Sequence, residues 1–215
     1  MTWTPGLKRP EPMNNTTQNK SRGSGRGFGM PDKEGEGVER GRETKVMYQN
    51  VGRREDAAHL LLQSAVELGV VVVVMAEPWG AKNKRKQQPG YEIPYDGEDI
   101  VVYRIRGSDM SVRGEGQWVM IGGNTAATYL RPRLNKHTVK AKLREMIRKG
   151  ATTVVGDLNC HGHGKDRMLE EWIEEEEMMD IGTAEYTHRQ GPTHKCTIDR
   201  ILTKGGTRPW KLEQE

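Results

Sequence analysis

Thr152-Thr153-Val154-Val155-Gly156-Asp157-Leu158-Asn159-Cys160-His161-Gly162 is the stretch on which the reading of this chain turns. Its first four residues are β-branched and suit a covered, pleated surface, so Thr152 to Val155 is read as a buried strand. Gly156 permits a sharp turn of the backbone at the strand end, which lets Asp157 and Asn159 project together from the edge of a sheet. Polar residues at strand ends are where α/β proteins usually place ligands and metals. The competing reading is local: an Asx-type turn in which Asp157 bonds its own backbone.

Two upstream segments repeat the pattern. Thr44-Lys45-Val46-Met47-Tyr48-Gln49 reads as a strand closed by Asn50, and Val70 to Ala76 reads as a buried strand closed by Glu77. Three strands thus end in Asn, Glu and Asp-x-Asn, a set suited to one hard divalent cation and a phosphate. Between the first two, Ala58, Leu61, Leu62, Ala65 and Val66 recur at helical spacing and Gly69 stands where a helix ends, giving a βαβ-like start.

Further on, weaker strands are expected near Ile100 to Tyr103 and Gln117 to Ile121, and a third from Thr125 to Leu130 delivers Tyr129. Val139, Leu143, Met146 and Ile147 line one helix, ended by Gly150, whose six Lys/Arg read as a solvated face. Met168, Leu169, Trp172 and Ile173 line another, made acidic on its other side by Glu170, Glu171 and Glu174 to Glu177. Such a face should lie away from nucleic acid. Cys196 to Leu202 is the last strand expected.

The residues Gln49-Asn50, Ala76-Glu77-Pro78-Trp79, Thr128-Tyr129-Leu130-Arg131-Pro132, Val155-Gly156-Asp157-Leu158-Asn159 with His161, and Tyr186-Thr187 leading to Thr197-Ile198-Asp199-Arg200-Ile201 carry a resemblance. In that order, over roughly Thr44 to Leu202, they resemble the endonuclease/exonuclease/phosphatase (DNase I-like) superfamily. Within it they are most similar to the endonuclease domain of non-LTR retrotransposons. The resemblance implies a four-layer α/β sandwich, two packed mixed β-sheets flanked by helices. It implies phosphodiester hydrolysis dependent on Mg²⁺ or Mn²⁺, with DNA as substrate. Glu77 would be the principal metal ligand with Asn50 beside it, and Asp157 would orient or deprotonate the attacking water. Asn159 and Tyr129 would hold phosphate oxygens, Asp199 would pair with a catalytic histidine, and Thr187 would support. His161 sits where the retrotransposon branch often carries a histidine, though a surface-loop histidine explains it equally. The family's closing Ser-Asp-His motif does not follow Leu202. The chain therefore reads as a sandwich incomplete at its C-terminus, with impaired activity; the alternative is a non-catalytic remnant that binds nucleic acid.

Composition bounds the rest. The chain has 215 residues, 33% of them hydrophobic, with a net charge of +4. Met1 to Glu43 carries eight Lys/Arg against six Asp/Glu and no apolar periodicity, so it is read as a disordered tail ahead of a domain from 44 to 203, with a second tail from 204 to 215. Two cysteines fit a reducing compartment rather than a disulfide framework. No apolar run approaches a membrane span and no signal peptide opens the chain, so an intracellular protein without membrane contact is expected. The basic loop Lys82-Asn83-Lys84-Arg85-Lys86 reads first as a solvated turn, with phosphate contact or nuclear import as functional readings.

Three other chemistries fit poorly. The twelfth position of a calcium loop begun at Asp157 is Met168 rather than Glu. Cys160, His161, His163, His188, His194 and Cys196 match no zinc-finger spacing. Gly164-Lys165 lacks the glycine before and the Ser/Thr after that a phosphate loop needs.

Overall fold

Runs of covered β-branched residues form strands here, and the apolar positions at helical spacing form helices laid on the sheets' outer faces. The computed structural model describes residues 44–85, 87–162, 164–181 and 199–205, together with the backbone of short strands at 2–4, 188–190, 194–196 and 211–213. In chain order the elements begin with β1 (Thr2–Thr4), β2 (Val46–Asn50), α1 (Glu55–Glu67), β3 (Val72–Ala76), β4 (Tyr91–Asp96) and β5 (Ile100–Ile105). There follow β6 (Val112–Glu115), β7 (Trp118–Ile121), β8 (Thr125–Tyr129), α2 (Lys136–Arg148), β9 (Thr153–Asp157) and α3 (Lys165–Glu175). The last are β10 (Met178–Asp180), β11 (His188–Gln190), β12 (His194–Cys196), β13 (Asp199–Lys204) and β14 (Lys211–Glu213).

One sheet runs β14-β1-β2-β3-β5-β4 and the other β10-β13-β9-β8-β7-β6, with β11 and β12 forming a separate hairpin. Both sheets are mixed, because each contains one strand–helix–strand crossover: β2 and β3 are parallel across α1, and β8 and β9 are parallel across α2. The all-buried strand β3 shows how a continuous apolar run is used. Val72 and Val74 face the opposite sheet and meet Val119, Ala127, Val155 and Ile201. Val73 and Met75 face outward under Leu61, Leu62 and Ala65 of α1. The second sheet is covered likewise, with Ala126 and Val154 under Leu143 and Met146 of α2 and Trp172 of α3. The layers are therefore helix, sheet, sheet and helices, as the resemblance implied.

Several expectations need correcting. Val66, counted in the apolar stripe of α1, is 51% exposed. Gly156 lies inside β9, which runs on to Asp157, and so is not a turn beyond the strand. The strands β4 and β6 were not anticipated: Pro94 interrupts the first, and Val-Arg-Gly-Glu gives the second too little apolar content to signal. Arg85 is not part of a solvated turn. Its side chain is buried in an ion pair with Asp96, while Lys82 and Lys84 remain exposed. Nor is the basic face of α2 simply solvated, since Lys140 and Arg144 both pair with Glu175 at the end of α3. Of the segment Cys196 to Leu202, Asp199 to Leu202 belong to β13, Cys196 ends β12, and residues 197–198 lie outside the described residues.

The tail expected at 1–43 is outside the described residues from 5 to 43, and Thr2–Thr4 pairs with β2 through Thr2↔Met47 and Trp3↔Val46. Within the segment expected as a second tail, Lys211–Glu213 pairs with β1. Among the described residues no helix is long and apolar enough to cross a membrane.

Candidate active site

The register of the strands gathers the polar ends. Asn50 pairs with Ala76, so Glu77 emerges just beyond it at the end of one sheet. In the other sheet Tyr129, Asp157 and Asp199 stand in one row, Tyr129↔Asp157 and Asp199↔Asp157. Packing of the sheets brings the two rows together. The Tyr129 hydroxyl donates to Glu77 Oε1 at 2.8 Å, and Asn50 Nδ2 donates to Asp157 Oδ2 at 3.2 Å. Residues from four strand ends thus form one cluster, closed by hydrogen bonds that cross from sheet to sheet.

Electrostatics in the cluster follow from burial and crowding. Asp157 is only 2% exposed. Burial, and next the negative charge of Asp199 on the adjoining strand, push its carboxyl up to about 7, against opposing hydrogen bonds from Asn50 and Asn159. Tyr129 is pushed well above the ordinary phenol range by burial and by its hydrogen bond to Glu77, so its hydroxyl keeps its proton.

The backbone beneath the cluster is unusual at Gly156 and at Glu77. Gly156 has φ +140°, and a Cβ there would lie 1.9 Å from the Thr128 carbonyl oxygen, so no side chain fits between β8 and β9 at this level. Beside it the Tyr48 hydroxyl, arriving from the other sheet, donates to the Thr128 carbonyl at 3.0 Å and accepts from Asp157 N–H at 3.0 Å. Glu77 itself is left-handed at φ +43°. It is held there because its N–H donates to the Asp99 carbonyl at 2.9 Å and its carbonyl accepts from Arg53 N–H at 2.7 Å. Non-glycine residues in this region cost energy and persist where their surroundings hold them.

Asn159 is buried, and the local turn at Asp157 is present. Its N–H donates to Asp157 Oδ1 at 3.0 Å, which is the Asx turn, and its Nδ2 donates to the Leu130 carbonyl at 3.0 Å. The residue fastens the loop after β9 onto the end of β8. His161 is half-buried, and its Nδ1 has no hydrogen-bond partner among the described residues. Thr187 and the side chains of His188, His194 and Cys196 lie outside the described residues. Cys160 is buried, which pushes its thiol up to about 12 and makes it a poor metal ligand. Tyr48, Arg53 and Asp99 were not singled out from the sequence. Tyr48 had a usable signal, two positions before Asn50 on one strand and hence on the same face. Asp99 had none.

A divalent cation fits the donor chemistry, although among the described residues no three His, Cys, Asp or Glu side chains gather as a ligand group. The donors are all oxygen: the Glu77 carboxylate, the Asn50 amide and the neighbouring Asp157 and Asp199. Mg²⁺ keeps several waters and needs few protein carboxylates. A positive charge at this place would also oppose the burial and the Asp199 repulsion that raise the Asp157 carboxyl.

Two mixed sheets face to face, with helices outside and a polar cluster at one end of both, define an α/β sandwich of the DNase I-like, or endonuclease/exonuclease/phosphatase, fold. The chain is similar to the endonuclease domain of TRAS1, a telomere-specific non-LTR retrotransposon, at a TM-score of 0.56 and 14% identity, covering 74% of this chain and 84% of that one. It is also similar to an AP endonuclease from Archaeoglobus fulgidus, at 0.54 and 14%, covering 74% and 86%. No family model and no curated protein matches the chain.

Proposed function

We propose that the chain is a Mg²⁺- or Mn²⁺-dependent phosphodiesterase acting on DNA, of the retrotransposon-endonuclease kind. The observation that carries this reading is the cross-sheet cluster of Glu77, Tyr129, Asn50 and Asp157, joined by two hydrogen bonds at one end of the sandwich. Similarity of the fold to a retrotransposon endonuclease domain and to an AP endonuclease supports it.

Glu77 and Asn50 would hold the cation, which supplies charge neutralisation at the phosphate and at the leaving oxygen. Asp157 would take the proton of the attacking water; burial makes its carboxylate more basic than an exposed one, which favours that transfer. Asp199 tunes Asp157 through its charge. Tyr129 keeps its proton and donates a hydrogen bond to Glu77; with Glu77 engaged as a ligand, that hydroxyl would donate to a phosphate oxygen instead. Asn159 serves the Leu130 carbonyl and Asp157 with its side chain, and it would hold a phosphate oxygen by giving up the contact with Asp157. His161, whose Nδ1 has no partner among the described residues, is the second candidate to carry a proton.

The chain should nick plasmid in a strictly metal-dependent way, and a DNA-binding protein without turnover is the second reading. Two measurements test the proposal. Nicking should vanish in Glu77→Ala, and calorimetric titration should show Mg²⁺ or Mn²⁺ affinity falling far more in Glu77→Ala than in Glu175→Ala. Equal affinities in the two variants would remove Glu77 from the site.

A further inference from the structure

Both backbone groups of Glu77 lead to an arginine, one directly and one through Asp99. Its carbonyl accepts from the N–H of Arg53, and its N–H donates to the carbonyl of Asp99, whose carboxylate in turn holds Arg131. The two arginines are therefore tied to the cluster from different elements, Arg53 by its backbone in the loop after β2 and Arg131 by its side chain just past β8.

The two arginines differ from their neighbours in what they leave free. Arg54 is spent on Asp56, whereas the exposed side chain of Arg53 makes no hydrogen bond or ion pair among the described residues. Arg53 is nonetheless fixed at φ +60°, a conformation that a non-glycine side chain adopts only under constraint. Arg131 is anchored along one edge: Nε donates to the Asp99 carboxylate oxygens at 3.1 and 2.9 Å, and Nη2 to Glu98 at 3.2 Å. Asp99 is itself buried and also accepts from Gln117. Nη1 of Arg131 has no partner among the described residues, and the side chain is 49% exposed. A planar guanidinium held by one edge on a buried carboxylate presents its other edge with little rotamer freedom left to lose, which suits an incoming phosphate.

We infer that Arg53 and Arg131 form a two-sided clamp for the phosphates that flank the one at Glu77. The substrate is then a polynucleotide strand rather than a small phosphoester, which would engage Glu77 and Tyr129 and need neither outlying cation. This rests on the phosphodiesterase reading of the cluster.

The test is binding of the full chain to a fluorescein-labelled 16-base-pair DNA duplex, followed by anisotropy in EDTA over a series of salt concentrations. Each phosphate contact contributes about 0.9 to the slope of log affinity against log salt. Arg53→Gln and Arg131→Gln should each lower that slope by about one, and the double variant by about two. Arg148→Gln, at the far end of α2, should leave it unchanged. Arg131→Lys keeps the charge and should keep the slope, so a loss seen only with glutamine follows charge and not folding. Arg53, whose side chain has no partner among the described residues, gives a second reading free of destabilisation. An unchanged slope in either glutamine variant removes that arginine from the clamp, and a wild-type chain with no measurable binding overturns the clamp altogether. Slopes that fall as expected in a chain that never nicks DNA with Mg²⁺ would keep the clamp and discard the catalytic reading.

Discussion

Asp157 links stability to pH in a direction opposite to most carboxylates. Its folded carboxyl is raised from the ordinary 3.8 to about 7 by burial and by Asp199, so between those values the folded chain holds a proton that the unfolded chain has released. The stabilisation is complete below about pH 4 and is lost as pH rises through about 7. In urea titrations without divalent cations, wild type should therefore lose stability relative to Asp157→Asn between pH 5 and pH 8, by a few kcal/mol. Mg²⁺ at pH 8 should recover much of the loss. If wild type gained on the variant over that range, Asp157 would not be the crowded carboxyl described here. Gly156 makes a second case at this scale. With its Cβ position 1.9 Å from a backbone oxygen and φ +140°, Gly156→Ala should cost about 3 kcal/mol or more. A cost under about 1 kcal/mol, measured by denaturation, would mean that β8 and β9 do not approach so closely.

At the scale of elements, the two sheets are tied together by more than apolar contact. Tyr48 crosses from β2 to serve both Thr128 and Asp157, and it does so beside Gly156, where the two strands come closest. Tyr48→Phe keeps the ring in the core but leaves a buried carbonyl and a buried N–H without that hydroxyl. The expected cost is about 1–3 kcal/mol. Nicking should fall with it, because the backbone that carries Asp157 would lose its support. Full stability in Tyr48→Phe would show that this hydroxyl is dispensable. The ion pair of Arg85 with Asp96 works similarly on the outer side of the first sheet, fastening the basic loop to β4. Breaking such a buried pair at one partner costs about 3–5 kcal/mol, so Asp96→Ala should destabilise strongly. Arg85 cannot then serve as an exposed element of an import signal, although Lys82 and Lys84 remain available.

For the whole molecule, the domain reading still rests on composition. Residues 5–43 lack the periodic apolar side chains that would offset ordering entropy, so limited proteolysis should clip that segment first and leave a core that starts near Thr44. The pairing of Thr2–Thr4 with β2 sharpens the measurement: a clipped chain should melt like the intact one if that pairing adds little. Resistance of residues 5–43 equal to that of the core would move the domain boundary toward the N-terminus.

Much of this architecture was legible along the chain because it is written in short periods. The valine run of β3, the stripes of α1 and α2, and the polar closures at Asn50, Glu77 and Asp157 are local signals, and local signals survive in one dimension. β4 and β6 escaped because a proline and a Val-Arg-Gly-Glu run carry no such period, and they are strands only because a neighbour pairs with them. The resemblance brought Tyr129 and Asp199 to the same site. What the linear chain could not give was the distance between rows. That the Tyr129 hydroxyl reaches Glu77, that Tyr48 reaches Asp157, and that the Asp99 carboxylate reaches Arg131 are consequences of two sheets packing face to face, while the Asp99 carbonyl meets Glu77 through strand pairing within one sheet. The partners in these contacts are 22 or more residues apart in sequence, and no local preference encodes a meeting that only the buried core between the sheets enforces.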